Sequence, residues 1–325
     1  MGDNQNMKGW IYLLAGMVGM FFLFVTPFKI QAGGSGGWAL YFDGTTDFVE
    51  LPYTSEMFPP GWQSTKTVSL WVKPEGEPVN CEGPGACDVI FGDRPFWWGI
   101  QRGVLNGQDR IWVWNAATLP DNSYTIHTIA IPYTPGEWVH IALVHQGGML
   151  TTYKNGVFAG SVASGDTRQP DNPAQMPWLH IGGVIPNEHR NHTFRGTIDE
   201  VRLYSIALTQ QQIIDTIATE LTPPVTGLVA YYKMSDGAGT ILTDDSGNGW
   251  HGVLKDGTLF VPGNGTLPQW LSSNLGEYFI LPTPTPSPSA TATEQPTIAP
   301  SPTGLPTQPG PSAEEHSVFL PLVKK

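Results

Sequence analysis

Charge is the scarcest property of this chain. Only 14% of its 325 residues are Asp, Glu, Lys or Arg, against about a quarter in an ordinary soluble domain. Basic residues are the fewest: 16 Lys and Arg stand against 28 Asp and Glu, a formal net charge of −12. A surface of that sign repels phosphates and excludes nucleic acid as a partner. Cysteine is nearly absent. Cys81 and Cys87 are the two present; their spacing is not Cys-x-x-Cys, and no third cysteine can complete a metal site. Behind an export signal, such a pair reads as a disulfide closing a small Gly/Pro-rich loop, worth roughly 2.4 kcal/mol in the chain-entropy model. Phosphate-binding loops and zinc-protease helices are also missing. His189 and His192 share a His-x-x-His spacing with Glu188 between strand-like segments, where a solvated loop is the expected reading.

What the chain has in quantity is turn formers and aromatics: 38 Gly, 30 Pro and 12 Trp. With 40% apolar residues it can bury a real core, as one large all-β domain or two smaller ones. Residues 10–25 form an uncharged apolar run preceded by Lys8, and Ile30-Gln31-Ala32 offers a cleavage site before Gly33. The run suits a cleaved signal peptide over residues 1–32, with an uncleaved signal anchor as the alternative. Residues 282–313 are almost entirely Pro, Thr and Ser with little that is apolar. No core forms from that composition, and as extended polyproline the stretch reaches on the order of 100 Å as a disordered, semi-rigid stalk. The tail, 314–325, carries a short apolar patch, Val318–Val323, before Lys324-Lys325. It is too short to span a bilayer, and it resembles a tail that closes many secreted bacterial proteins, which suggests sorting or attachment. The chain is therefore expected to be extracellular or at the cell surface, touching a membrane only through an N-terminal anchor or this C-terminal attachment.

Between these ends the periodicity is two. In residues 136–161, Trp138, His140, Ala142 and Val144 share one face, and Val139, Ile141, Leu143 and His145 the other. That is strand alternation. Gly147-Gly148 turns the chain, and Asn155-Gly156 marks a type I′ hairpin, since both central residues of that turn need positive φ. Thr209 before Ile213, Ile214 and Ile217 predicts a short capped helix near 207–218.

Taken together, ALYFDGTTDFVELP (39–52), TVSLWVKP (67–74), VIFGDRPFWWGIQ (89–101), the hairpin of 136–161, LHIGG (179–183) and GTIDEVRLYSIALTQQQI (196–213) resemble a LamG-like jelly-roll domain of the concanavalin A-like lectin/glucanase superfamily. The resemblance implies an all-β fold over residues 38–281: an antiparallel two-sheet jelly-roll sandwich of about a dozen strands with one short helix. Residues 227–254 resemble the opening of such a domain, yet here they come late. Either the displaced segment (227–270) supplies the first strand of one sandwich, the expected arrangement, or it begins a truncated second copy.

The resemblance also implies where ligands sit. In relatives, the loop matching Asp244-Asp245-Ser246-Gly247-Asn248-Gly249 and the Asp of the IDEVRLY strand stand near a bound Ca2+. That makes Asp43, Asp199, Asp244, Asp245 and Asn248 the candidate calcium ligands, with hard oxygen donors of the right kind. The alternative for the loop is a tight turn whose Asp side chains bond their own backbone. Trp97, Trp98, Trp112 and Trp114 are the candidate ligand-stacking residues. Alternation places Trp112 and Trp114 together, opposite Ile111 and Val113, and so outward if the branched residues face the core. Glucanases of this superfamily set two carboxylates on one strand face, about 5–5.5 Å apart when the reaction retains configuration. Asp199 and Glu200 are adjacent and alternate to opposite faces, so no catalytic pair is expected. The reading is a non-catalytic binding module for a glycan or surface protein; a spacer domain is its alternative.

Overall fold

The computed structural model describes residues 37–275 apart from 55, 59, 80, 82–86, 95–96, 169–177, 184–192, 218, 258–261 and 274. The expected signal, stalk and tail segments, and His189 and His192, lie outside the described residues. In chain order the strands begin β1 (Trp38–Asp43), β2 (Asp47–Leu51), β3 (Thr65–Pro74), β4 (Asp88–Arg94), β5 (Trp98–Leu105), β6 (Gln108–Thr118) and β7 (Tyr124–Ile131). Then come β8 (Val139–Gln146), β9 (Met149–Lys154), β10 (Val157–Ala163), β11 (Trp178–Ile181) and β12 (Arg195–Tyr204), followed by the helix α1 (Gln210–Ile217). The last are β13 (Leu228–Tyr232), β14 (Ile241–Leu242), β15 (Gly252–Asp256) and β16 (Gln269–Ser272).

They build two antiparallel sheets. The first runs β10-β9-β8-β3-β12-β1-β16, and the second β14-β15-β2-β11-β4-β5-β6-β7. The expected sandwich is therefore the observed fold. The β9–β10 turn is the hairpin predicted from Asn155-Gly156, whose φ values are 50° and 77°. Local alternation decides which side chains go inside. Across the second sheet, Leu254, Val49, Ile181, Phe91, Ile100, Val113 and Ile129 are partnered strand to strand and all join the central apolar core. The first sheet contributes Leu40, Phe42, Leu70, Val72, Ile141 and Leu143 to the same core. Burying so many branched and aromatic side chains supplies the main stabilisation, at roughly 1.5–3 kcal/mol for each one fully buried.

The late segment joins both sheets. β12 pairs with β1 along its first half, through Ile198↔Leu40, and with β13 along its second, through Val201↔Tyr232. β15 pairs with β2, and β16 with β1.

Helix α1 covers the outer face of the first sheet. Its start is a capping box: Thr209 N–H donates to Gln212 Oε1 at 2.8 Å, and Gln212 N–H to Thr209 Oγ1 at 3.3 Å. Ile213 and Ile217 are its buried residues. Ile213 packs with Ala142, Val144, Tyr204, Leu208 and Tyr231, while Ile217 packs with Ala39, Trp71 and Trp138.

Candidate functional site

The acidic residues singled out in the sequence do not converge. Asp43 ends β1 beside Arg195 of β12, whereas Asp199 lies four residues further along β12, a separation of about 13 Å at strand rise. Asp43 accepts hydrogen bonds from Thr45 N–H and Oγ1 and from Asn264 Nδ2, at 2.7–2.8 Å. Asp199 is fully buried; it accepts from Glu200 N–H at 2.9 Å and from Ser273 Oγ at 2.8 Å. Burial, with Glu200 next to it, holds its carboxyl well above the usual carboxylate range.

Asp244 is saturated. Its Oδ1 accepts from Tyr231 and Ser246 N–H groups, and its Oδ2 from Ser246 Oγ and Trp250 N–H, all at 2.9 Å. Asn248 turns its amide nitrogen to the carbonyls of Leu228 and Val229, and Asp245 stands 4.0 Å from Lys233 Nζ. The Asp-Asp-Ser-Gly-Asn-Gly loop is thus a turn that fastens itself to β13. A calcium ion needs six to eight free oxygen donors within one shell, and these five residues do not supply it. Among the described residues, no three His, Cys, Asp or Glu are grouped so as to hold a metal.

Glu200 is used elsewhere. A bulge interrupts the β12 pairing between Asp199 and Arg202, and Glu200 takes φ 55° there. The bulge breaks the alternation expected from sequence, and Asp199 and Glu200 are both buried, as is every residue of β12 after Arg195. Glu200 Oε2 accepts from Arg202 Nη2 at 2.5 Å and from Tyr231 OH at 2.6 Å. Arg202 also donates to the carbonyls of Thr216 and Thr219, so its cation sits at the carboxyl end of α1, where the helix dipole favours positive charge. Glu200 and Arg202 thus form a buried clamp between sheet and helix.

The four tryptophans are buried as well, which corrects the expectation that Trp112 and Trp114 face solvent. Their exposures are 8% for Trp97, 1% for Trp98, 6% for Trp112 and 2% for Trp114. Neighbours account for three of them. Arg168 lies 4.8 Å over the Trp97 ring, and Lys66 Nζ lies 5.3 Å over that of Trp98. Trp112 donates Nε1–H to Gly103 O at 3.0 Å and packs with Cys87, Leu105, Val79 and Cys81. The Cys81–Cys87 disulfide forms as expected, with the two Cα atoms 4.9 Å apart. It lies so close to β5 that a Cβ on Gly103 would stand 2.3 Å from Cys81 Sγ.

Trp112 and Trp114 do lie on the face opposite the branched core residues. There, one row runs across six strands: Glu50, His180, Gly92, Gly99, Trp114 and Thr128. The next row holds Gln101 and Trp112. Glu50, His180 and Gln101 escaped the sequence reading. Their signal is the strand parity that places them beside Trp112 and Trp114, and it becomes readable only once the non-local strand order is known.

This is a two-sheet sandwich of the lectin-like class, built from hairpins, with Asp199, Glu200 and Asp244 engaged in structural contacts. A laminin G type 3 model, described as of the concanavalin A-like lectin/glucanases superfamily, matches residues 32–214, and the chain belongs to that superfamily. Mouse pappalysin-1 is 28% identical over 190 residues, which are 56% of this chain and 11% of the mouse protein. Human pappalysin-1 is 25% identical over 189 residues, with the same coverage. The chain thus spans about a tenth of the length of these curated relatives. A solved structure described as a candidate carbohydrate-binding protein from Bacteroides ovatus shares the fold: TM-score 0.53, 19% identity, covering 73% of this chain and 60% of that one.

Proposed function

We propose that this chain is an exported, non-catalytic binding module that takes a glycan or a surface protein partner and stands on its Pro-rich stalk. The observation that carries the reading is the clamp at Glu200. The superfamily name joins lectins and glucanases, and a glucanase needs two carboxylates facing one cleft. Here Asp199 and Glu200 are buried; Asp199 accepts from Glu200 N–H and Ser273, and Glu200 Oε2 from Arg202 and Tyr231, which favours the lectin side. The description of the Bacteroides ovatus neighbour points to the same ligand class, and the disulfide suits an oxidising compartment outside the cell. A spacer domain without a ligand draws on the burial of the four indoles.

The test is a glycan array, read with and without a chelator. Retention of a defined glycan in both states supports the module and separates it from calcium. Silence across the array, with no protein captured from the matching cell surface, would move the assignment to the spacer.

A further inference from the structure

The first sheet leaves part of its outer face uncovered. Helix α1 lies over β8, β3 and β12, while β9 and β10 continue beyond it. Strand pairing sets three short rows there: Ala142, Tyr153 and Phe158; Val144, Thr151 and Ser161; Gln146, Met149 and Ala163. Phe158 is 56% exposed and Met149 41%. The Tyr153 and Phe158 rings meet edge to face, with centroids 6.2 Å apart and planes at 77°. The segment leading into α1 forms a wall, and the recess between wall and strands has a volume of ≈ 410 Å³. That lies within the roughly 300–1,000 Å³ typical of small-ligand sites.

The lining is uncharged and mixes apolar side chains (Val144, Met149, Ala207, Leu208) with polar ones. Its polar members are hydroxyls and carboxamides, such as Thr151, Thr209, Gln146 and Gln210, and none of its residues is charged. That neutrality stands out on a chain of net charge −12. Lys154, the nearest cation along β9, donates to Pro132 O at 2.6 Å and is not part of the lining. The wall is pinned in place, since Gln210 Nε2 donates to Gly156 O at 2.9 Å. We infer that this shelf is a binding site for a neutral oligosaccharide, whose apolar ring face rests on Phe158 and Tyr153 while its hydroxyls exchange hydrogen bonds with the amides and hydroxyls around them. An uncharged, hydroxyl-rich ligand matches a lining with no ion to pair, whose neutral hydroxyls and carboxamides keep remaining lone pairs and N–H groups for it beyond the contacts that Thr151, Thr209 and Gln210 make within the protein. An anionic sugar would find no cation in the lining. The inference rests on the binding-module reading and gives it a place and a ligand class.

The experiment uses the full chain on immobilised neutral hexaoses derived from glucan, mannan and galactan, beside polygalacturonate and heparin oligosaccharides. Two surface variants, Phe158→Ala and Ser161→Arg, are compared with the parent; both positions are exposed, and circular dichroism checks that each folds. The expected result is retention of a neutral hexaose and of neither acidic set, with affinity weakened about tenfold or more in both variants, the size of an aromatic hot spot. Undiminished binding by folded variants would overturn the site while leaving the module standing. Retention of the acidic oligosaccharides alone would overturn the ligand class. Failure to retain any oligosaccharide would remove both the shelf and the glycan reading beneath it.

Discussion

Tyr231, on β13, donates its phenolic hydroxyl to Glu200 Oε2 on β12 at 2.6 Å. The two are far apart in sequence, and both are buried. With Arg202 on the same carboxylate oxygen, the contact ties the late segment, the IDEVRLY strand and the end of α1 into one unit. Removing Glu200 leaves the Arg202 cation buried without its ion pair, so Glu200→Ala should cost about 3–5 kcal/mol. Tyr231→Phe removes one charge-assisted hydrogen bond and should cost about 1–2 kcal/mol. Urea unfolding of the two variants measures both. Equal, near-zero losses would show that the clamp is not structural.

Much of this architecture could be read from the sequence, because the information was local. Alternation placed Ile111 and Val113 in the core, Asn155-Gly156 gave the hairpin, and Thr209 gave the helix cap. What could not be read was non-local or against propensity. Glu200 adopts positive φ without being glycine, and only the strands around it show why a bulge falls there. The two Trp residues of β6 have the parity expected, but the burial of that face depends on distant contacts such as those of Cys81 with Trp112. The calcium reading paired motifs by resemblance, and strand register sets Asp43 and Asp199 too far apart to share an ion. The shelf at Tyr153 and Phe158 was hidden because no single strand carries it.

Asp47 gives the fold a pH dependence. It is fully buried; its Oδ2 accepts from Asp43 N–H at 3.3 Å, while Oδ1 has no hydrogen-bond partner among the described residues. Burial, with Asp43 and Asp256 nearby, pushes its carboxyl up to about 7. The folded state therefore holds a proton that the unfolded chain releases near pH 4. The stability from that proton is fully present below about pH 4 and is lost as pH rises to about 7. Asp88, also pushed up to about 7 by burial, acts in the same direction. His140 acts the opposite way: burial pulls it down to about 3, so its contribution fades as pH falls from about 6.5 toward 3. Asp47→Asn removes one carboxyl and leaves the histidine. Its melting temperature should exceed that of the parent at pH 8, with the gain shrinking toward pH 4. A gain that is flat with pH would show that Asp47 titrates normally.

The disulfide should protect Trp112. Replacing Cys81 and Cys87 with Ser opens a loop worth roughly 2.4 kcal/mol in the chain-entropy model and loosens the packing against the indole. The expected readout is a lower denaturation midpoint, together with a red-shifted tryptophan emission or faster acrylamide quenching under native conditions. A loss of stability with unchanged emission and quenching would mean that the loop does not shield Trp112.

The central claim is recognition without chemistry. It is tested most directly by incubating the purified chain with the glycan that it retains and following, in one sample, bound ligand and newly formed reducing ends. Saturable binding with no increase in reducing ends over many hours is the predicted result. Release of reducing ends beyond one per protein molecule, abolished by Glu200→Gln, would contradict the account.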